Sequence, residues 1–435
     1  MSTAFLPCYV LLAELTNPAV TSPQAIVSET RALDALPGTL VFDATLRSEF
    51  RAGEAPALSN LPTQSFAAAL ITPRVDLGVG RPGMVWTAWY SPRLFWQVPH
   101  LPAATDLLVL HTFGLALDVR LSRRTQVTAS VGGSVGALDY TALPQVLGTI
   151  QAALPPVLQV SATTAQGVLS IQLSSRWTFG LGGTAFYWRW LEVPAGLPPD
   201  TVTQQVALSG GPGLGFRASH VDTFRVDVPI QEAWYSNDSH FLVVTPATTW
   251  RRALARRVDL SLRLGLSYAQ STLTSGASID SPGEVAIGPV GSVELVSRVA
   301  RWDEATFSAR ASAGVDHFLD PVIGVGVRQW FAAGQLDAVS SRRGALGLRG
   351  AFATVFGEVP TAPGVGQPDE TVFSLGVWMR KRMSAYVLAE CGGLWADRAP
   401  PLATPDFHFH QRQLWIYLTL AATTKPATRS IGGSN

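Results

Sequence analysis

The sequence predicts an all-β chain: a single closed antiparallel up-and-down transmembrane β-barrel of about eighteen strands, within a range of about 16–18. Three observations predict it. Apolar residues alternate strictly with small or charged ones, most cleanly in Arg257–Gln270. There Val258, Leu260, Leu262, Leu264, Leu266 and Tyr268 take the even positions, and Asp259, Ser261, Arg263, Gly265, Ser267 and Ala269 the odd ones. Period 2 places the two sets on opposite faces of a strand. Such runs are also long: strands of soluble domains span about 5–6 residues, whereas a tilted bilayer-crossing strand needs about 9–11. Third, the chain is 47% hydrophobic and 14% charged, yet no stretch approaches the roughly 18 uninterrupted apolar residues of a helical span. The apolar content is therefore interleaved with polar residues, as in a membrane barrel.

In chain order the first candidate is Thr39–Arg51, with Leu40, Phe42, Ala44 and Leu46 against Asp43, Thr45 and Arg47. Phe66–Gly80 and Met84–Val98 follow. In Asp106–Leu121 an apolar set (Leu107, Val109, Phe113, Leu115) alternates with Thr112, Gly114, Ala116, Asp118 and Arg120, and Thr125–Ala137 repeats the pattern with smaller residues. Leu158–Leu173, Arg176–Trp190, Val202–Arg217, Val221–Trp234, His240–Arg252 and Arg257–Gln270 continue it. The last candidates are Glu284–Val299, Ala305–Asp316, Val322–Asp337, Ala345–Phe356, Thr371–Arg380, Ser384–Ala396 and Asp406–Ala421. This divides the chain into an N-terminal export or periplasmic segment (1–38), the barrel (39–422) and a polar tail (423–435). Ala4–Leu12 is a short apolar run before small residues that suit cleavage, without the basic start of a standard signal peptide.

The connections alternate between two kinds. Short basic ones include Gly80–Gly83, Ser122–Arg124, Ser174–Arg176, Ala255–Arg257, Ser341–Gly344 and Arg380–Arg382; longer, mostly Pro-rich ones include Ala52–Ser65, Leu143–Val157, Glu192–Thr201 and Gly357–Glu370. Short periplasmic turns and longer outward loops are the rule in outer-membrane barrels, so both termini are expected on the periplasmic side. The positive-inside rule belongs to helical proteins and does not explain the arginines. Within Leu143–Leu154, Val146, Leu147, Ile150 and Leu154 recur at helical spacing, which suits a rim helix or a constriction folded into the mouth.

Met84–Val98 supplies a length check. Trp86 and Trp96 stand on one face; at ~3.3 Å per residue and ~40° tilt they lie ~25 Å apart along the membrane normal, the height between aromatic girdles.

Function is expected on the opposite face, toward the lumen. It collects Arg47, Arg74, Arg93, Arg225, Arg263, Arg310, Arg328 and Arg349 with Asp76, Asp227, Glu294 and Asp316. An arginine facing hydrocarbon at the midplane costs about 2–4 kcal/mol, so these groups belong in a wet or fully paired interior. Two roles fit: an anion- or polyol-preferring channel, or Arg–carboxylate pairs that brace the wall.

Other motifs lose their meaning in this setting. Gly132–Gly136 matches G-x-S-x-G but lies within an alternating strand, not at a strand-to-helix turn. Gly210–Gly215 is a loose glycine loop with Pro212 inside it and no helix after it. Asp406, His408 and His410 share a strand face, without a further ligand of defined position. The two cysteines, Cys8 and Cys391, lack metal-like spacing. The sequence therefore points to no enzyme, cofactor or metal, and a net charge of +1 gives no case for nucleic acid.

The segments TPRVDLGVG, WYSPRLFWQVP, LSRRTQVTASVGGSVGALDY and ARRVDLSLRLGLSYAQS resemble outer-membrane β-barrels of the myxobacterial type, and the likeness runs from about Thr39 to Ala421. Some barrels of that kind are similar to the terminal channels of polysaccharide secretion systems. The resemblance implies a Gram-negative outer membrane, lipids around the wall, a periplasmic polysaccharide-export protein as partner, and an exported polysaccharide as cargo. A general porin for small hydrophilic solutes and a non-transporting structural or adhesive barrel are the alternatives. The polar residues after Trp415 and Tyr417 depart from the closing aromatic usual at the end of such barrels.

Overall fold

The structure, a computed structural model, describes residues 40–56, 63–98, 107–139, 157–192, 204–236, 240–272, 284–302, 305–319, 326–340, 344–357, 370–384, 386–399 and 411–423. Those residues form strands and the short turns between them. The strand segments are β1 (Leu40–Pro56), β2 (Thr63–Arg81), β3 (Met84–Val98), β4 (Leu108–Arg120), β5 (Thr125–Asp139), β6 (Val157–Gln172), β7 (Trp177–Trp190), β8 (Gln204–Arg217), β9 (Asp222–Asp227) and β10 (Ile230–Tyr235). They continue as β11 (His240–Val244), β12 (Ala247–Ala255), β13 (Val258–Thr272), β14 (Glu284–Trp302), β15 (Ala305–Leu319), β16 (Gly326–Ser340), β17 (Gly344–Gly357), β18 (Glu370–Arg382), β19 (Val387–Ala399) and β20 (Gln411–Thr423).

These twenty segments are eighteen strands. β9 and β10 both pair with β8 in one register, as do β11 and β12 with β13. Each of the two strands is interrupted at a proline, Pro229 and Pro246, which has no N–H for the ladder. Every neighbour pair is antiparallel, and β20 closes on β1 from Thr45↔Thr423 to Glu54↔Leu414. Closure in register leaves neither β1 nor β20 with a bare edge.

The alternation behaves as the pattern demands. Phe42, Leu46, Phe50, Leu264, Leu266, Ile287 and Ile416 are among the large apolar side chains left exposed. The register carries such residues in one continuous outward set, for example Leu264↔Gly291 and Leu262↔Val293, then Val293↔Ala313 and Ala313↔Ala332. Exposed leucine over a whole wall is unfavourable in water and favourable against acyl chains. The fold is a closed antiparallel transmembrane barrel.

Three boundaries differ from the sequence reading. β1 and β2 run on as a paired ladder to Pro56↔Thr63, so much of the expected loop Ala52–Ser65 is strand; its glycine and proline look like loop residues only in isolation. β14 reaches Trp302 across a bulge between Ser297 and Ala300, so most of Ala300–Asp303, whose sequence reads as another short basic connection, is strand. β16 is Gly326–Ser340, shifted toward the C-terminus of the expected Val322–Asp337. The G-x-S-x-G and glycine-rich stretches lie inside β5 and β8, as strands. Residues 143–154 and Asp406, His408 and His410 fall outside the described residues.

Candidate channel lumen

The inward set is built by the same period. On β1, Arg47, Glu49 and Arg51 follow one another on the inward face. Glu49 accepts from Arg47 Nη2 at 2.9 Å and from Arg51 Nε, and Glu49 and Arg51 are both buried. On β2, Arg74 forks onto Asp76 with contacts of 2.6–3.0 Å. On β9, Arg225 Nε donates to both Asp227 oxygens at 2.7 and 2.8 Å. All three are i, i+2 pairs on one strand, which period 2 brings to one face.

Other pairs cross between strands. Arg310 Nε lies 2.5 Å from Glu294 and Arg263 Nη1 3.8 Å from Asp316. Arg251 reaches Asp259 at 3.1 Å, Gln126 donates to Asp118 at 2.8 and 3.0 Å, and Arg380 Nε donates to Glu390 at 2.8 Å. Tyr417 donates to the other Glu390 oxygen at 3.1 Å.

Expected residues thus fall as follows. Arg47, Arg74, Arg225, Arg263 and Arg310 each meet a carboxylate; Asp76, Asp227, Glu294 and Asp316 are among the acceptors. Arg93 is buried, its guanidinium 5.9 Å from the Phe95 ring centre. Arg349 lies beside Gly376 with no carboxylate partner among the described residues. Arg328 pairs with His317 and Phe356, in the register that Trp330 shares two residues on. Trp86 and Trp96 occupy the outward set of β3, opposite Val79 and Ala69.

Sequence reasoning missed Glu49, Arg51, Arg251, Asp259, Arg380, Glu390 and Tyr417. Arg51 and Arg380 are the last residues of the expected strands Thr39–Arg51 and Thr371–Arg380. The available signal was R-x-E-x-R and R-x-D within an alternating run, since i and i+2 share a face.

Two tryptophans lie flat on the wall over glycine. A Cβ on Gly114 would come within 2.6 Å of the Trp89 ring, and one on Gly347 would collide with Trp378. An arginine stands over each ring, Arg74 at 5.1 Å from Trp89 and Arg380 at 5.3 Å from Trp378, within cation–π range. Carboxylate, arginine, indole and glycine form a repeated stack that keeps long side chains against the wall.

Toward the longer connections the inward wall changes character. Tyr235, Phe241, Val243, Ala233 and Ala269 pack as a buried apolar cluster with Trp188 against it. Leu70, Phe95, Leu110, Val160, Phe186 and Trp190 are buried as well. A hollow of about 410 Å³ involving Leu264, Pro289, Ala313 and Trp330 is apolar and lies in the outer wall. Among the described residues no three His, Cys, Asp or Glu side chains gather as a metal site, and Cys391 is a free thiol.

No family model matches the sequence, and no curated protein matches it. Similar solved structures include a bacterial polysaccharide outer membrane secretin, 13% identical, covering 87% of this chain and 97% of that one with a TM-score of 0.37. Acinetobacter baumannii OccAB1 is 9% identical over 88% of this chain and 97% of its own, with a TM-score of 0.47. Pseudomonas aeruginosa OccK2 (OpdF) is 10% identical over 88% and 98%, with a TM-score of 0.44. These likenesses concern the fold alone.

Proposed function

We propose that the barrel is an outer-membrane channel that exports a secreted polysaccharide, with both termini and the short turns on the periplasmic side. The observation that carries this reading is the inward wall of a closed eighteen-strand barrel, lined by arginine–carboxylate pairs and flattened indoles. A barrel of this size is too wide for side chains alone to fill. Arg47, Arg74, Arg93, Arg225, Arg263, Arg310 and Arg349 with Asp76, Asp227, Glu294 and Asp316 are the proposed lumen lining. Guanidinium and carboxylate groups can exchange hydrogen bonds with a passing sugar's hydroxyls or acid groups. Trp86 and Trp96 are the proposed girdles. The resemblance to polysaccharide-secretion barrels supports export and a periplasmic export protein as partner.

Uptake of small hydrophilic solutes is favoured by a different observation: most lumenal charges are already neutralised in pairs, as suits an unselective pore. Deletion separates the two. Export predicts loss of surface polysaccharide; an intact polysaccharide coat with altered solute permeability sinks it. The pore itself is tested in planar bilayers. Gly114→Leu pushes Trp89 off the wall, so single-channel conductance should fall while Trp89→Ala conducts at least as well as the parent. A parent barrel that never conducts, with or without its partner, counts for a closed structural barrel instead.

A further inference from the structure

The lumenal pairs leave one group of cations unexplained. Arg81, Arg123, Arg124, Arg176, Arg256 and Arg257 stand at the β2–β3, β4–β5, β6–β7 and β12–β13 turns, and all six are exposed. None has a carboxylate within ion-pair reach among the described residues. The carboxylates of the same end are engaged: Asp118 with Gln126, Asp259 with Arg251, and Asp222 with Trp250 at 3.0 Å. Inside the barrel most of the charges are paired; at these four turns the cations are left open among the described residues.

We infer that this rim binds the headgroups of anionic phospholipids in the leaflet around it. The inference rests on the membrane reading of the outer wall and adds a ligand to it. Three arguments select lipid. The cations stand at four separate turns spread round the barrel, from β2–β3 to β12–β13, and the bilayer is what meets all four. Their level also fits. From the proposed girdle residue Trp86 to Met84 is two residues, or ~5 Å along the normal at ~3.3 Å rise and ~40° tilt. Arg81 pairs with Met84 across the ladder and so shares its level, within the roughly 5–8 Å of headgroup layer on each side of the hydrocarbon. Finally, the guanidinium fork matches phosphate oxygens bidentately, and the turns hold it in place: Gly83 takes a φ of 77°, while Ser122 and Ser174 side chains accept from the backbone N–H of Arg124 and Arg176 at 3.1 and 3.2 Å.

The test uses the full chain reconstituted in phosphatidylcholine bilayers with and without phosphatidylglycerol, and native mass spectrometry of the lipids it retains. The parent should hold phosphatidylglycerol over phosphatidylcholine by at least about fivefold, a preference that fades as salt rises. Changing the six arginines together to Gln should abolish it, and changing them to Lys should keep most of it. Heat-modifiability on gels reports whether each variant is folded; if the Gln variant does not fold, the Lys variant and the salt series carry the test. Equal retention of both lipids by the inserted parent overturns the inference, as does a folded Gln variant that keeps the preference. If the Gln variant lowers only anion flux, the rim serves the solute and the lipid assignment fails. A chain that stays monodisperse without detergent would instead defeat the membrane reading itself.

Discussion

Two stretches of the inner wall solve the same burial problem by opposite chemistry. Around the seam where β20 meets β1, the inward side chains are charged or polar: Arg47, Glu49 and Arg51 on one side, Tyr417, Glu390 and Arg380 on the other. Across the barrel, on β10, β11 and β13, the inward side chains are Tyr235, Phe241, Val243 and Ala269, buried against one another. β10 and β11 are neighbours in sequence, whereas β1 and β20 must find each other from opposite ends of the chain, at a loop-closure cost that grows with the intervening length. Hydrophobic contact is tolerant of register. A charged row is less so, because slipping by one residue turns Glu49 outward toward lipid. The charged row beside the seam thus penalises a slipped register by turning Glu49 toward lipid, although its pairs form within β1 and among β18, β19 and β20 rather than across β1–β20.

The contrast can be attacked at its strongest point first. Glu49→Ala leaves Arg47 and Arg51 without the carboxylate they share. Breaking a buried pair costs about 3–5 kcal/mol, and the buried Arg51 puts this site in that class. Denaturant unfolding in detergent micelles should register the loss, and Glu49→Gln should recover little of it. A Gln variant as stable as the parent would mean that the seam is held by its backbone ladder alone.

Tyr417→Phe is the next step down. It removes one donor from Glu390, which keeps Arg380, so about 1.5 kcal/mol or less should be lost. Phe241→Leu on the apolar wall keeps the apolar chemistry and gives up part of the ring's volume, and should cost about 1 kcal/mol. If the leucine variant suffers as much as Glu49→Gln, the supposed tolerance of the apolar wall is wrong.

Much of this was legible in the sequence. The outward face of β13 could be written down from Val258–Tyr268, and the two connection classes gave strand order and both ends of the barrel. Period 2 has no memory of register, however, so it could place Arg263 on a face without showing that Asp316, two strands away, would approach it. The i, i+2 pairs of Arg74 with Asp76 and of Arg225 with Asp227 need no register, since period 2 alone brings both partners to one face. The apolar inward cluster escaped for a plainer reason. His240–Val244 is apolar on both faces, so alternation gives no contrast there, and inward Phe241 and Val243 look like outward residues. Pro229 and Pro246 break the ladder without shifting its register, which explains why two strands were expected where the structure has four segments.

The smallest effect is the most discriminating control. Arg251 and Asp259 form a contact of the same chemical kind as the seam pairs, at 3.1 Å, but Arg251 has 60% of its side-chain surface exposed. Water competes for both partners, and exposed pairs of this kind contribute about 0.2–1 kcal/mol. A double-mutant cycle with Arg251→Gln and Asp259→Asn should therefore give a coupling within that range, fading in high salt. The corresponding cycle on Glu49 and Arg51 should give several times more and change little with salt. Equal couplings would place Glu49 and Arg51 in contact with lumenal water, and the register argument for the seam would lose its energetic basis.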